Sequence, residues 1–187
     1  MGKNNLTLPI RTERLIIRRF TLADIDDIIA FTEHPSVARE TTNIPREDRA
    51  KMQEYIKTQN GYSLFETQAC VDLACELKET GVVIGLLSLV SNGKRQGEIG
   101  WGFGIEHRGQ GLATEAARGL ISYAFAECGY HRIFSGTIFT NTRSWALMER
   151  LGMRKEAHFV KAHVPAEEAG EWIDTVLYAV LAEEWGG

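Results

Sequence analysis

Between a strand-like run and an amphipathic helical run the chain carries Arg108-Gly109-Gln110-Gly111-Leu112-Ala113, and this junction constrains the fold more than any other stretch. Its glycines remove side chains where backbone N–H groups must turn toward one point, and the helix that follows adds its positive end to that point. A diphosphate can rest in such a turn on main-chain donors without a metal ion. Before the turn, residues 97–105 alternate Glu98, Gly100, Gly102 and Gly104 on one face with Ile99, Trp101, Phe103 and Ile105 on the other, the period of a strand. After it, Ala113, Ala116, Leu120 and Ala124 recur at helical spacing. The glycines at 100, 102 and 104 predict a shallow trough in which a thin ligand lies against the backbone. Two other nucleotide-binding turns do not fit. No Lys-Ser/Thr follows Gly111, as a P-loop needs, and residues 102–107 lack the third glycine of a dinucleotide fingerprint.

The Arg-x-x-Gly-x-Ala turn followed by Thr114-Glu115-Ala116-Ala117 resembles the acetyl-CoA signature of the GNAT N-acetyltransferases, in particular the branch typified by the RimJ/RimL ribosomal-protein acetyltransferases. Thr12-Glu13-Arg14-Leu15-Ile16-Ile17-Arg18 resembles that branch's opening strand. Asn141-Thr142-Arg143-Ser144 leading to Arg150-Leu151-Gly152-Met153 resembles its pantetheine-side helix. The resemblance implies acetyl-CoA as cosubstrate and no metal. It places Arg108, Gly109, Gln110, Gly111, Leu112, Ala113 and Thr114 around the diphosphate and pairs the main chain of Phe103 and Ile105 with the pantetheine amides like an added strand. Asn141 is a good helix N-cap in its own right, and by resemblance its amide also bonds the pantetheine arm. Many superfamily members carry a tyrosine proton donor where Met148 stands, and methionine cannot donate. Ser144 is either an exposed first-turn serine or, with a helix beginning at Thr142, the group that faces the thioester and protonates the departing thiolate.

Glu98 shares its strand face with the glycines, where a carboxylate is either a plain surface group or a base that takes the proton of a cationic amine directly or through water. The amine then attacks the thioester, and a main-chain N–H of the central strand holds the oxyanion. His163 follows His158 by five residues, so a strand points them to opposite faces and a shared metal is not expected. Alone, His163 is a surface histidine or a second candidate base. Cys128 falls inside the main helix, which disfavours acyl transfer through a thiol. A CoA-binding or sensing module without catalysis is the competing class, and a purely structural α+β domain is the third.

At 187 residues and 44% hydrophobic content, residues 10–187 can form one acetyltransferase domain behind a loose tail at 1–9. A net charge of −4 argues against a nucleic-acid partner and suits a cationic acceptor, a protein N-terminus or a small amine. Acids Glu40, Glu54, Glu167 and Glu168 fall in the loop at 39–45, the second helix and the loop at 162–170, which are expected to build the acceptor side. Cys70, Cys75 and Cys128 fit no metal spacing and read as reduced thiols of a cytoplasmic protein. No stretch reads as a membrane span or signal peptide, and a homodimer is allowed.

Strands are expected at 15–20, 71–77, 82–90, 97–105 and 132–139, with a closing pair at 154–162 and 172–181. Ser91-Asn92-Gly93-Lys94 reads as a two-residue hairpin turn. Helices are expected from the Thr21 cap to residue 31, where His34-Pro35 ends it, at 46–58, after Gly111, and at 142–151 with Gly152 as a left-handed cap. This order predicts an α+β fold of the GNAT-like type: a mixed, mostly antiparallel central sheet with helices on both faces.

Overall fold

A computed structural model describes residues 8–41, 44–46, 48–64, 70–164 and 170–186. Eight strands form one sheet: β1 (Ile10–Arg11), β2 (Leu15–Arg18), β3 (Cys70–Leu77), β4 (Val83–Ser91), β5 (Gln96–Phe103), β6 (Arg132–Ile138), β7 (Arg154–His163) and β8 (Ile173–Leu181). Their order is β1-β2-β3-β4-β5-β6-β8-β7, and every pairing is antiparallel except β5 with β6. The helices are α1 (Ile25–Thr32), α2 (Pro35–Glu40), α3 (Arg49–Gly61), α4 (Leu112–Ala126) and α5 (Thr142–Arg150).

Strand residues of alternate parity feed two cores. Leu73, Leu87 and Ile99 pack against Leu112, Ala116, Leu120 and Met148 of α4 and α5, whereas Ala74 and Leu86, one residue away, pack against Ile28, Phe31, Val37, Met52 and Ile56 of α1–α3. Each large aliphatic side chain removed from water contributes about 1.5–3 kcal/mol. Helices therefore cover both faces. A part-buried ion cluster ties the early segment to the sheet: Arg18 grips Asp24 at 2.7 and 2.8 Å and Glu76 at 2.6 Å.

Local chemistry explains the helix ends. Asp48 caps α3 by accepting from the N–H groups of Ala50 (2.9 Å) and Lys51 (3.1 Å). Gly152, at φ 77°, closes α5 while Met153 N–H reaches the Met148 carbonyl at 3.0 Å. Some elements depart from the sequence reading for local reasons. His34-Pro35 ends α1 but also starts α2, since Pro35 sits at the first helical turn and the His34 ring accepts from Ser36 N–H at 3.2 Å. The turn after β4 spans four residues rather than two: Gly93, Lys94 and Arg95 all take positive φ, held there because Arg95 donates to the Gly129 carbonyl at 2.5 Å and accepts from His131 N–H at 2.7 Å. Finally, α4 ends at Ala126, so Cys128 lies just beyond it, where burial first pushes its thiol up to about 12.

Candidate active site

The parallel ladder between β5 and β6 covers three residue pairs, Gln96 with Arg132, Gly97 with Ile133 and Glu98 with Phe134, and both strands run on beyond it. The sheet thus opens toward the C-terminal ends of these strands. Gly104 N–H donates to the Ile84 carbonyl at 3.0 Å, which makes Gly85 and Phe103 a non-hydrogen-bonded pair. By that alternation the main-chain groups of Trp101 and Phe103 turn away from β4 and into the opening.

At its mouth stands the head of α4. Gly109 and Gly111 hold φ of 77° and 79°, a region that glycine alone enters without strain, and Gly111 is the N-cap. No side chain caps the helix, so the N–H groups of Leu112, Ala113 and Thr114 meet no capping side chain. An added Cβ at Gly109 meets nothing within 4 Å, and at Gly111 only Arg14 Nη2 at 3.6 Å. Conformation rather than crowding therefore requires both glycines. The donor set, neutral main-chain N–H groups at a helix's positive end, fits a diphosphate.

Side chains around the cradle do other work. Arg108 Nε donates to the Phe103 carbonyl at 3.0 Å, and its Nη2 pairs with Glu40 on α2 at 2.7 Å, so the guanidinium braces β5 against the opposite helix layer. Gln110 folds back onto the Glu106 carbonyl at 2.9 Å. Ile105 lies in a 3-10 turn, Ile105–His107, with its carbonyl accepting from Arg108 N–H at 3.3 Å. The strand-like pairing expected of Ile105 meets this turn; of the strand's residues, Trp101 and Phe103 face the opening. The glycine trough is also largely occupied: a Cβ on Gly102 would stand 2.6 Å from Thr41 Cγ2, and one on Gly104 would stand 3.2 Å from Phe31 Cβ. Those glycines let α1 and α2 seat closely on β5. Gly100 alone keeps room, with Ser88 Cβ at 3.6 Å.

Glu98 lies beside that space. It faces solvent, and partial desolvation by its surroundings raises its carboxyl above the ordinary glutamate value. In the register, Cys70, Val90 and Glu98 form one cross-strand row, and Asp72, Ser88 and Gly100 form the next on the same face. Asp72 is buried and accepts from Tyr55 of α3 at 2.5 Å and from Ser88, while Gln59 Oε1 accepts its backbone N–H at 2.8 Å. Burial first, then Asp72, pushes the Cys70 thiol up to about 12, so it stays protonated. Sequence reading missed this polar floor, although a lone carboxylate inside the apolar run Val71-Asp72-Leu73-Ala74 was its visible signal.

On the other side of the opening, Asn141 caps α5 by accepting from Ser144 N–H at 3.3 Å. Ser144 stands half-buried in the first turn, and Met148, fully buried, belongs to the core. His163 is exposed on edge strand β7, with β8 and β6 between it and β5, a lateral separation on the order of 14 Å. His158 pairs with Asp174 at 2.7 Å and stacks on Phe139. Of the acids expected on the acceptor side, Glu40 is taken by Arg108, Glu54 is exposed on α3, and Glu167 and Glu168 lie outside the described residues. Among the described residues no group of His, Cys, Asp and Glu is arranged to hold a metal, and no helix is long and apolar enough to cross a membrane.

Residues 14–154 match the family described as Acetyltransferase (GNAT) domain. The uncharacterized N-acetyltransferase YnaD of Bacillus subtilis is 31% identical over 181 residues, spanning 94% of this chain and 98% of that protein. The ribosomal protein uS5-alanine N-acetyltransferase of Escherichia coli is 33% identical over 87 residues, 46% of this chain and 43% of that protein. Among solved structures, a GNAT-family acetyltransferase from Bacillus anthracis superposes with a TM-score of 0.78 at 29% identity, covering 95% of this chain and all of that one. A mostly antiparallel sheet opened between two parallel strands, with a glycine-built helix head at the opening, is thus joined to sequence similarity along nearly the whole chain, and the protein belongs to the GNAT acetyltransferase family.

Proposed function

We propose that this protein transfers an acetyl group from acetyl-CoA to a primary amine by direct attack in a ternary complex, in the manner of the RimJ/RimL-like branch. The observation that carries the reading is the uncapped head of α4, with Gly109 and Gly111 at positive φ, opening onto the gap between β5 and β6. The N–H groups of the cradle hold the diphosphate, the strand edge at Trp101 and Phe103 takes the pantetheine arm, and the Asn141 amide meets it from the other side. Acetyl-CoA supplies an activated acyl thioester. The chain's own residues supply the rest: Glu98 removes a proton from the cationic amine directly or through a water, and Ser144 gives one to the departing thiolate. Cys70 and Cys128, both held protonated by burial, take no covalent part.

The acceptor is a protein N-terminus or a small cationic amine. The partial similarity to an enzyme named for an alanine of ribosomal protein uS5 supports the first. Glu98 is open to a cation, since no ion pair holds it among the described residues, while Glu40 is paired with Arg108. Thiol release from acetyl-CoA, measured against a panel of peptides with free N-termini, polyamines and amino acids, tests the reading. Turnover with one class establishes it, and binding of CoA with no turnover on any amine favours instead a CoA-binding module. That second reading draws on Met148, whose burial leaves no donor at its position.

A further inference from the structure

The turn that joins β1 to β2 is built against the cradle. Arg14, in that turn, donates from Nε to Glu115 Oε2 at 2.7 Å, from its backbone N–H to Oε1 at 2.7 Å and from Nη1 to the Gln110 carbonyl at 3.0 Å. Thr12 adds its hydroxyl to Glu115 Oε1 at 2.6 Å. Arg14 Nη2 lies 3.6 Å from where a Cβ on Gly111 would stand. The guanidinium is therefore wedged between the Glu115 carboxylate and the Gln110–Gly111 backbone. The turn is held from its far side as well: Lys78 N–H donates to the Arg14 carbonyl at 2.9 Å, and its ammonium donates to the carbonyls of Thr12 and Glu13.

Glu115 sits in the first turn of α4. A carboxylate there suits the helix dipole but competes with any anion bound at the same N-terminus. Burial pushes its pKa up, yet the hydrogen bonds from Thr12 and Arg14 outweigh that and hold it below the ordinary glutamate value, so it is a full negative charge at neutral pH. A diphosphate at this helix head needs that charge cancelled. It also needs the Gly111 N–H turned outward, and in a trans peptide that N–H points opposite the Gln110 carbonyl that Arg14 holds.

We infer that Arg14 is a positioning residue for the phosphate cradle, cancelling the Glu115 charge and fixing the Gln110–Gly111 peptide without touching the reacting atoms. This rests on the acetyl-CoA reading above. Calorimetric titration of CoA into wild type, Arg14→Ala, Glu115→Gln and the double variant tests it, alongside steady-state kinetics with acetyl-CoA. Arg14→Ala is expected to raise the Kd about tenfold, with the loss falling on KM rather than kcat. Adding Glu115→Gln to it should bring the Kd back to within about threefold of wild type, a rescue that mere loss of packing would not permit. If Arg14→Ala folds poorly, Arg14→Gln removes the charge while keeping a donor for the Gln110 carbonyl, and the same weakening and rescue are expected. An unchanged Kd in the single variant, or a double variant no tighter than the single, overturns the inference. Failure of the wild type to bind CoA at millimolar concentration overturns the acetyl-CoA reading itself, and this inference with it.

Discussion

The head of α4 and the floor beside Glu98 lie at the two ends of one strand, yet they are built from different material. The first is main chain: two glycines at positive φ and a run of uncapped N–H groups, with Gln110 folded away from it and Arg108 turned to Glu40. The second is side chain: Glu98, Ser88, Asp72 and Tyr55, brought together from three strands and α3. A site made of backbone tolerates most substitutions except those at its glycines and at the Arg14 that braces it. A site made of side chains can be retuned for a new acceptor by single replacements, while the sheet that carries it stays as it is.

The sharpest way to break this contrast is Gly111→Val, which puts a β-branched side chain at φ 79°. Wild type should be stabilised by CoA, by about 2.7 kcal/mol at a hundredfold excess over Kd, and the variant should show no CoA-dependent rise in Tm. A variant that still binds CoA normally would mean that the backbone is not the anion site. Next in size, Glu98→Gln should lower kcat by about 10²–10⁴-fold while leaving CoA affinity near wild type.

The raised carboxyl of Glu98 adds a pH test. As a base it must be ionised, so kcat/KM of the wild type should fall as pH drops through a pKa above the ordinary glutamate value, and the glutamine variant should lack that limb. For stability the sign is reversed. The folded state holds this proton more tightly than the unfolded chain, so Glu98 favours folding below its unfolded pKa, and that contribution is lost as pH rises through the folded pKa.

Smaller effects sharpen the comparison on the α5 side. If Ser144 protonates the departing thiolate as proposed, Ser144→Ala should lower kcat about tenfold with KM for acetyl-CoA unchanged. A shift in KM alone would make Ser144 a binding group. His163→Ala should change kcat less than about twofold, given its place on the far edge strand. A large loss of kcat there, beside a near-normal Glu98→Gln, would move the base from Glu98 to the histidine.

What the sequence determined is local. Positive φ at Gly109 and Gly111, the period-two run of β5, the Asn141 cap and the Gly152 stop each depend on residues within a few positions of one another, and each is where the composition puts it. The α+β order with helices on both faces follows from those elements in sequence. What only the tertiary structure decided lies across long separations. Arg14 meets Glu115 101 residues away, and Arg108 meets Glu40 68 residues away. Asp72 becomes a buried anchor because the β3–β4–β5 register sets Ser88 beside it and α3 lays Tyr55 over it. The glycines at 102 and 104 look like a ligand trough in one dimension, but Thr41, the residue that ends α2, and Phe31 of α1 fill that space. Backbone dihedrals are set by neighbours along the chain, whereas a side chain's partner is set by register and packing, which no stretch of a few residues contains.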